Sequence, residues 1–174
     1  MVCGTSMQRL FMYFILVLCL ATGTVTASVA QDQQSSDIIL TVSNVQGNSI
    51  EDQPFVFNLA LLDALPQHQF STTTIWTNGT SEFSGVLLRD IVEITGYSGD
   101  TITTWAINDY MAEFSIGTLS YNTALIATRH NGAVMHPRDK GPLWIVFPYS
   151  QGPDFQNEAI YAQSVWQLNR INVE

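Results

Sequence analysis

The strongest periodic signal in the chain is a single amphipathic stretch, residues 86–95, in which Leu87, Leu88, Ile91, Val92 and Ile94 recur at i, i+3 and i+4 spacing. Arg89, Asp90 and Glu93 fall outside this stripe, and Gly96 stands just past its end, where helices turn into the left-handed region. No other stretch sustains a helical period as long. The remainder breaks into short β-branched and aromatic runs separated by turn residues, and such a chain must build sheets and pack its few helices onto them.

Ile38 to Val42 reads as the first strand, ending in turn residues Asn44 to Asn48, and Phe55-Val56-Phe57 as the second. Asn58 is placed to cap a short helix over residues 59–65 that Pro66 stops. Residues 69–76 are rich in Thr, Ile and aromatics and run into the turn Thr77-Asn78-Gly79-Thr80. Strands are expected at 101–107 and 111–116, then a hairpin of 124–128 and 133–135 around Asn131-Gly132. A buried strand at 143–147, a loop over 148–157 and a closing strand at 164–173 complete a single α+β domain over residues 38–174. Trp105, Trp144 and Phe147 alternate with apolar neighbours and are expected in the core.

Residues 1–30 have the form of a signal peptide. Arg9 precedes an unbroken apolar run from Leu10 to Leu20, too short for a comfortable membrane span, and small residues follow, with cleavage expected after Ala30 or after Ala27. Residues 31–37 read as a flexible polar leader. Export to the periplasm is the expected destination. Both cysteines, Cys3 and Cys19, lie inside the signal segment, so the exported protein is expected to contain no disulfide, no thiolate metal site and no cysteine nucleophile. Its stability must come from burial. Six basic residues face fifteen acidic ones, a formal net charge of −9, which disfavours nucleic acid and anionic membrane surfaces as partners.

The segment from His130 to Tyr149 gathers the most chemistry: a turn at Asn131-Gly132, the charged triplet Arg138-Asp139-Lys140, and Gly141-Pro142 leading into Leu143–Phe147. It reads as a ligand-facing loop, with a self-paired, solvated cluster as the plain alternative. His68, His130 and His136 show no metal-ligand spacing. The chain contains no G-x-S-x-G, S-x-x-K or H-E-x-x-H motif, so no catalytic or metal-binding residue is assigned.

Four segments occur in an order that resembles the sulfite-oxidase-type molybdopterin-binding domain. They are Phe83-Ser84-Gly85 with the helical pattern up to Gly96, Asn131-Gly132, Gly141-Pro142-Leu143-Trp144-Ile145-Val146-Phe147-Pro148, and Ser164-Val165-Trp166-Gln167-Leu168-Asn169-Arg170-Ile171-Asn172-Val173. The resemblance implies the mixed α+β sulfite-oxidase fold, mostly β, with a pterin pocket formed by loops. Catalytic members place a molybdenum-ligating cysteine before the Phe83-x-Gly85 region. Here that stretch reads Ser71-Thr72-Thr73-Thr74-Ile75-Trp76, and a threonine hydroxyl cannot stand in for a soft thiolate. A basic residue expected near the closing strand for the cofactor's phosphate is replaced by Trp166-Gln167.

The sequence is thus similar to periplasmic proteins that use this fold, without the cysteine, to bind a reduced pterin and report it to a membrane partner. A pterin presents a flat face for stacking, an edge suited to a carboxylate, and acceptors for cationic or amide donors. Trp76, Tyr110 and Trp166 are the candidate stacking surfaces, Glu82, Asp109 and Asp139 the candidate edge acceptors, and Asn108, Arg138 and Lys140 the candidate donors. Glu82 and Asp109 can equally cap neighbouring turns. Molybdenum is not expected. The implied partner is the periplasmic domain of an inner-membrane protein controlling cyclic-dinucleotide turnover, with residues 148–157 as the responsive loop. The alternative is a molybdopterin-dependent oxidoreductase.

Overall fold

A computed structural model describes residues 37–46, 49–50, 53–119 and 124–174; the expected signal segment, and all of the leader except Asp37, lie outside the described residues. Two sheets make up the described chain. In the first, β1 (Leu40–Gln46) runs parallel to the last strand β11 (Leu168–Val173), which pairs antiparallel with β6 (Thr101–Ala106), and β6 with β7 (Met111–Ser115). The other edge of β1 takes β3 (Phe55–Phe57) and β2 (Ser49–Ile50), both antiparallel. The second sheet is antiparallel, in the order β10 (Trp144–Val146), β8 (Leu125–His130), β5 (Thr80–Leu87), β4 (His68–Thr73), with β9 (Ala133–Val134) folded back on β8.

The main core draws Leu40, Val42, Ile102, Phe114 and Ile171 from the first sheet and Val86, Ile126 and Ile145 from the second. Burying each such side chain contributes about 1.5–3 kcal/mol. The second sheet is apolar on both faces. Phe83, Leu87, Leu125, Ala127, Trp144 and Val146 alternate with those core residues and build a smaller cluster with Met135 on the other side. This two-sided burial is why its strands read as continuous apolar runs. Gly85 sits at the irregularity where β5 crosses β8, and a Cβ there would fall 2.1 Å from the Ile126 carbonyl oxygen. The glycine of the Phe83-x-Gly85 segment is therefore a close-approach residue.

Among the described residues, three α-helices cover the sheets. α1 (Leu59–Asp63) is capped as expected, with the Asn58 side chain accepting from the Leu61 N–H at 2.8 Å. Asp63 receives a two-pronged contact from Arg129 of β8, at 2.6 and 2.8 Å, tying α1 to the second sheet. α2 (Leu88–Thr95) buries Leu88, Ile91 and Val92 and ends at a left-handed Gly96. No helix of the described residues is long and apolar enough to cross a membrane.

Six expectations need correction. The first strand, expected to end in turn residues from Asn44, runs on to Gln46. The helical pattern over residues 86–95 begins too early: Val86 and Leu87 close β5, and the helix starts at Leu88, because an apolar run continuous across the junction fits both periods. The closing strand starts at Leu168, not Ser164. The Val165 carbonyl accepts from the Ile145 N–H instead, and Gln167, at φ 54°, breaks the extended run. The loop 148–157 holds two single turns of 3-10 helix, Tyr149–Gln151 and Pro153–Phe155, and the unexpected α3 (Glu158–Gln163) follows it. Glu82 lies within β5 and not on a loop. Trp105 is half-buried, with the Arg170 guanidinium 4.9 Å from its ring centre, whereas Trp144 and Phe147 are core as expected.

Candidate functional site

Trp76 occupies the turn leaving β4. The turn is knit by hydroxyls: Thr74 Oγ1 accepts from the Trp76 N–H at 3.0 Å and lies 2.9 Å from Thr77 Oγ1, which Ser81 also reaches. Around the Trp76 ring stand Trp144, Tyr149, Tyr161 and Trp166, with centroids 5.8 to 6.1 Å away and planes 68° to 88° from its own. Such edge-to-face pairs contribute about 0.5–1.5 kcal/mol each beyond their buried area, and together they form an aromatic wall.

Against that wall opens a cleft of 180 Å³, lined by Trp76, Ala106, Asn108, Tyr110, Tyr161, Ser164, Val165 and Trp166. Four chain segments meet here. The β6–β7 turn brings Asn108 and Tyr110, and the Tyr110 hydroxyl donates to the Ala162 carbonyl at 2.8 Å. The segment after α3 brings Ser164, Val165 and Trp166. It is pinned by the Gln167 N–H to the Lys140 carbonyl at 2.9 Å, the Gln167 side chain to the Pro137 carbonyl at 2.7 Å, and the Ile107 N–H to the Gln167 carbonyl at 2.9 Å.

Behind the cleft the Tyr149 hydroxyl is buried against Ser164, and burial pushes its pKa up to about 12. The indole nitrogens of Trp76 and Trp166, the Asn108 side-chain nitrogen and the Tyr161 hydroxyl make no hydrogen bond among the described residues. They are the donors available to a ligand.

Of the nine site residues expected from sequence, Trp76, Asn108, Tyr110 and Trp166 come together in this cleft. The other five do not line it. Glu82 is exposed, its N–H bonded to the Asn131 side chain at 2.9 Å. Asp109 turns to Arg170, 3.5 Å away, from a backbone at φ 62°. Arg138 and Asp139 are exposed on a single 3-10 turn that the His136 ring caps by accepting from the Arg138 N–H. Lys140 is half-buried, its Nζ 5.5 Å from the centre of the Trp144 ring. Gly141 holds this loop down: a Cβ there would lie 2.2 Å from the Met135 carbonyl oxygen.

Tyr161, Ser164 and Val165 were missed. Asn157 was a readable helix cap, and Ile160 and Tyr161 follow it at i+3 and i+4, but the helix is too short for its period to stand out.

Donor chemistry sets what the site can hold. Thr72, Thr73 and Thr74, just before the Trp76 turn, spend their hydroxyls on structure. Thr72 Oγ1 accepts from the Ser150 N–H at 2.9 Å, Thr73 Oγ1 lies 3.0 Å from Ser150 Oγ, and Thr74 serves the Trp76 turn. No cluster of three metal-ligating side chains occurs among the described residues. The cleft is smaller than the roughly 300–1,000 Å³ usual for drug-sized ligands, and no Lys or Arg lines it. The lining offers aromatic faces and neutral donors, and no countercharge for a phosphate.

No protein-family model matches the chain, and no curated protein matches it. Among solved structures it is similar to the sulfane dehydrogenase SoxCD from Paracoccus pantotrophus, with a TM-score of 0.59 and 16% sequence identity, over 80% of this chain and 38% of that one. The likeness is one of fold, spans well under half of the larger chain, and supports a sulfite-oxidase-like α+β fold.

Proposed function

We propose that this protein binds the ring of a reduced pterin in the Trp76 cleft, without molybdenum, as an exported sensor or carrier. The observation that carries this reading is the cleft itself: an aromatic wall with unbonded indole, amide and phenol donors and no cation. Stacking on Trp76 or Trp166 and hydrogen bonds from Asn108 and Tyr161 are the interactions such a ring would use. Mass spectrometry of the small molecule that co-purifies with periplasmic protein tests it. A pterin at near-equal ratio to the chain is expected; purification with no pterin, and no binding of added reduced pterin, overturns the reading.

The fold likeness to a sulfane dehydrogenase favours a second reading, a molybdopterin-dependent oxidoreductase. Against it stand the hydroxyls in place of a thiolate and the uncharged lining. Molybdenum near one atom per chain, from a host able to make the cofactor, would decide for that enzyme.

To act as a sensor, the bound form must favour one surface state over another. The partner in this reading is the periplasmic domain of an inner-membrane protein controlling cyclic-dinucleotide turnover, and residues 148–157 are the responsive element. Recovery of the partner from membranes should depend on added reduced pterin; equal recovery with and without it would leave a carrier.

A further inference from the structure

α3 is poorly seated for an element that walls a binding cleft. None of its residues is buried. On one side Tyr161 lines the aromatic cleft, and on another a 240 Å³ cavity lies against Ile160 and Gln163, bounded by Phe114, Phe147 and Phe155. A third cavity, of 190 Å³, separates Tyr161 from Thr73 and Thr74. Three open clefts border this helix, and its apolar packing is limited to the half-buried Ile160 and Tyr161, the latter edge-on to Trp76 and tilted against Tyr149.

Side-chain-to-backbone hydrogen bonds supplement that limited packing. The Tyr110 hydroxyl donates to the Ala162 carbonyl at 2.8 Å, and the Gln163 side chain donates to the Glu113 carbonyl of the edge strand β7 at 2.7 Å. The residues on either side are firmly rooted. Ser164 and Val165 are buried, the Val165 carbonyl accepts from the Ile145 N–H at 2.8 Å, and Ser150 is bonded to Thr72 and Thr73. Between these roots the chain passes through Gly152-Pro153 and the N-cap Asn157.

We propose that α3 is a lid on the aromatic cleft, hinged at Ser164 and near Gly152-Pro153, and held shut by the Tyr110 and Gln163 hydrogen bonds. Opening carries Tyr161 off the edge of Trp76 and joins the three cavities into one entrance. Elements with few buried apolar contacts and exposed hydrogen bonds open at the low end of a protein's range of local stabilities. The lid goes beyond the pterin reading and stands whichever molecule occupies the cleft.

Hydrogen exchange of the ligand-free protein, read by mass spectrometry, tests the lid. Amides 160–164 are expected to exchange by local opening, far faster than those of β8. Tyr110→Phe and Gln163→Ala should each speed them a further several-fold to about tenfold, the effect of one net hydrogen bond, with β8 unchanged. If Tyr110→Phe lowers global stability, Gln163→Ala at the other end of the latch supplies the same readout. Exchange of 160–164 at the rate of β8, or no selective change in either variant, overturns the lid.

Discussion

The Tyr149 and Ser164 hydroxyls lie 2.6 Å apart in the interior behind Trp76, and the direction of their hydrogen bond is fixed. Ser164 Oγ gives its one proton to the Ile160 carbonyl at 2.7 Å, so Tyr149 must donate and stay neutral. The pair anchors the root of α3 to the aromatic wall.

Tyr149 makes the fold sensitive to alkali. Its folded pKa, about 12, lies above the ordinary value of 10.0, so above pH 10 the unfolded chain loses this proton first. Stability present below pH 10 should fall as pH rises through 12, by up to about 1.4 kcal/mol per pH unit from this group. Urea unfolding at pH 9 and 11 should show a steeper loss in the wild type than in Tyr149→Phe. Equal losses would mean that Tyr149 ionises freely in the folded state.

Thr72 should matter for stability through its hydroxyl. It is 1% exposed and accepts from the Ser150 N–H, so Thr72→Val removes that hydrogen bond and should cost about 0.5–1.5 kcal/mol. Thr72→Ser should recover most of it. A valine variant as stable as wild type would show that Ser150 rearranges.

His130 should titrate below its ordinary value of 6.5. Burial of its ring, stacked 5.0 Å from Phe83, is the larger cause, and the charge of Lys140 adds to it. Because the folded pKa is depressed, the unfolded chain takes up the proton first. Its contribution to stability is present above pH 6.5 and lost as pH falls through the folded value. Lys140→Gln should move the imidazole titration upward in proton NMR, and no movement would remove Lys140 as a cause.

Trp166→Ala should weaken binding of a reduced pterin by about 1–3 kcal/mol, the usual loss when a heteroaromatic ring is deprived of a stacking surface. Arg138→Ala, at an exposed position outside the lining, should leave affinity unchanged. Titration calorimetry reads both. The reverse pattern would return the ligand to the charged loop and away from the cleft.

Local signals in the sequence determined the elements whose stabilising contacts are close in the chain. The end of α2 at Gly96, the Asn58 cap and the Asn131-Gly132 hairpin appear where periodicity and turn chemistry put them, although α2 itself begins two residues later than its apolar pattern. Turn residues beside Trp76 and Tyr110 marked those two as candidates, whereas Trp166, read within the closing strand, entered only through the family resemblance.

Only the tertiary structure decided which candidates meet. The cleft joins a turn near residue 76, a hairpin near 109 and a segment near 165. Their approach depends on β6 pairing with β11, which in turn lies parallel to β1. Pairings over such sequence distances leave no mark in local periodicity. For the same reason sequence could not show that the charged candidates stand apart from this cleft: Asp109 faces Arg170, Lys140 lies near the Trp144 ring, and Arg138 is exposed.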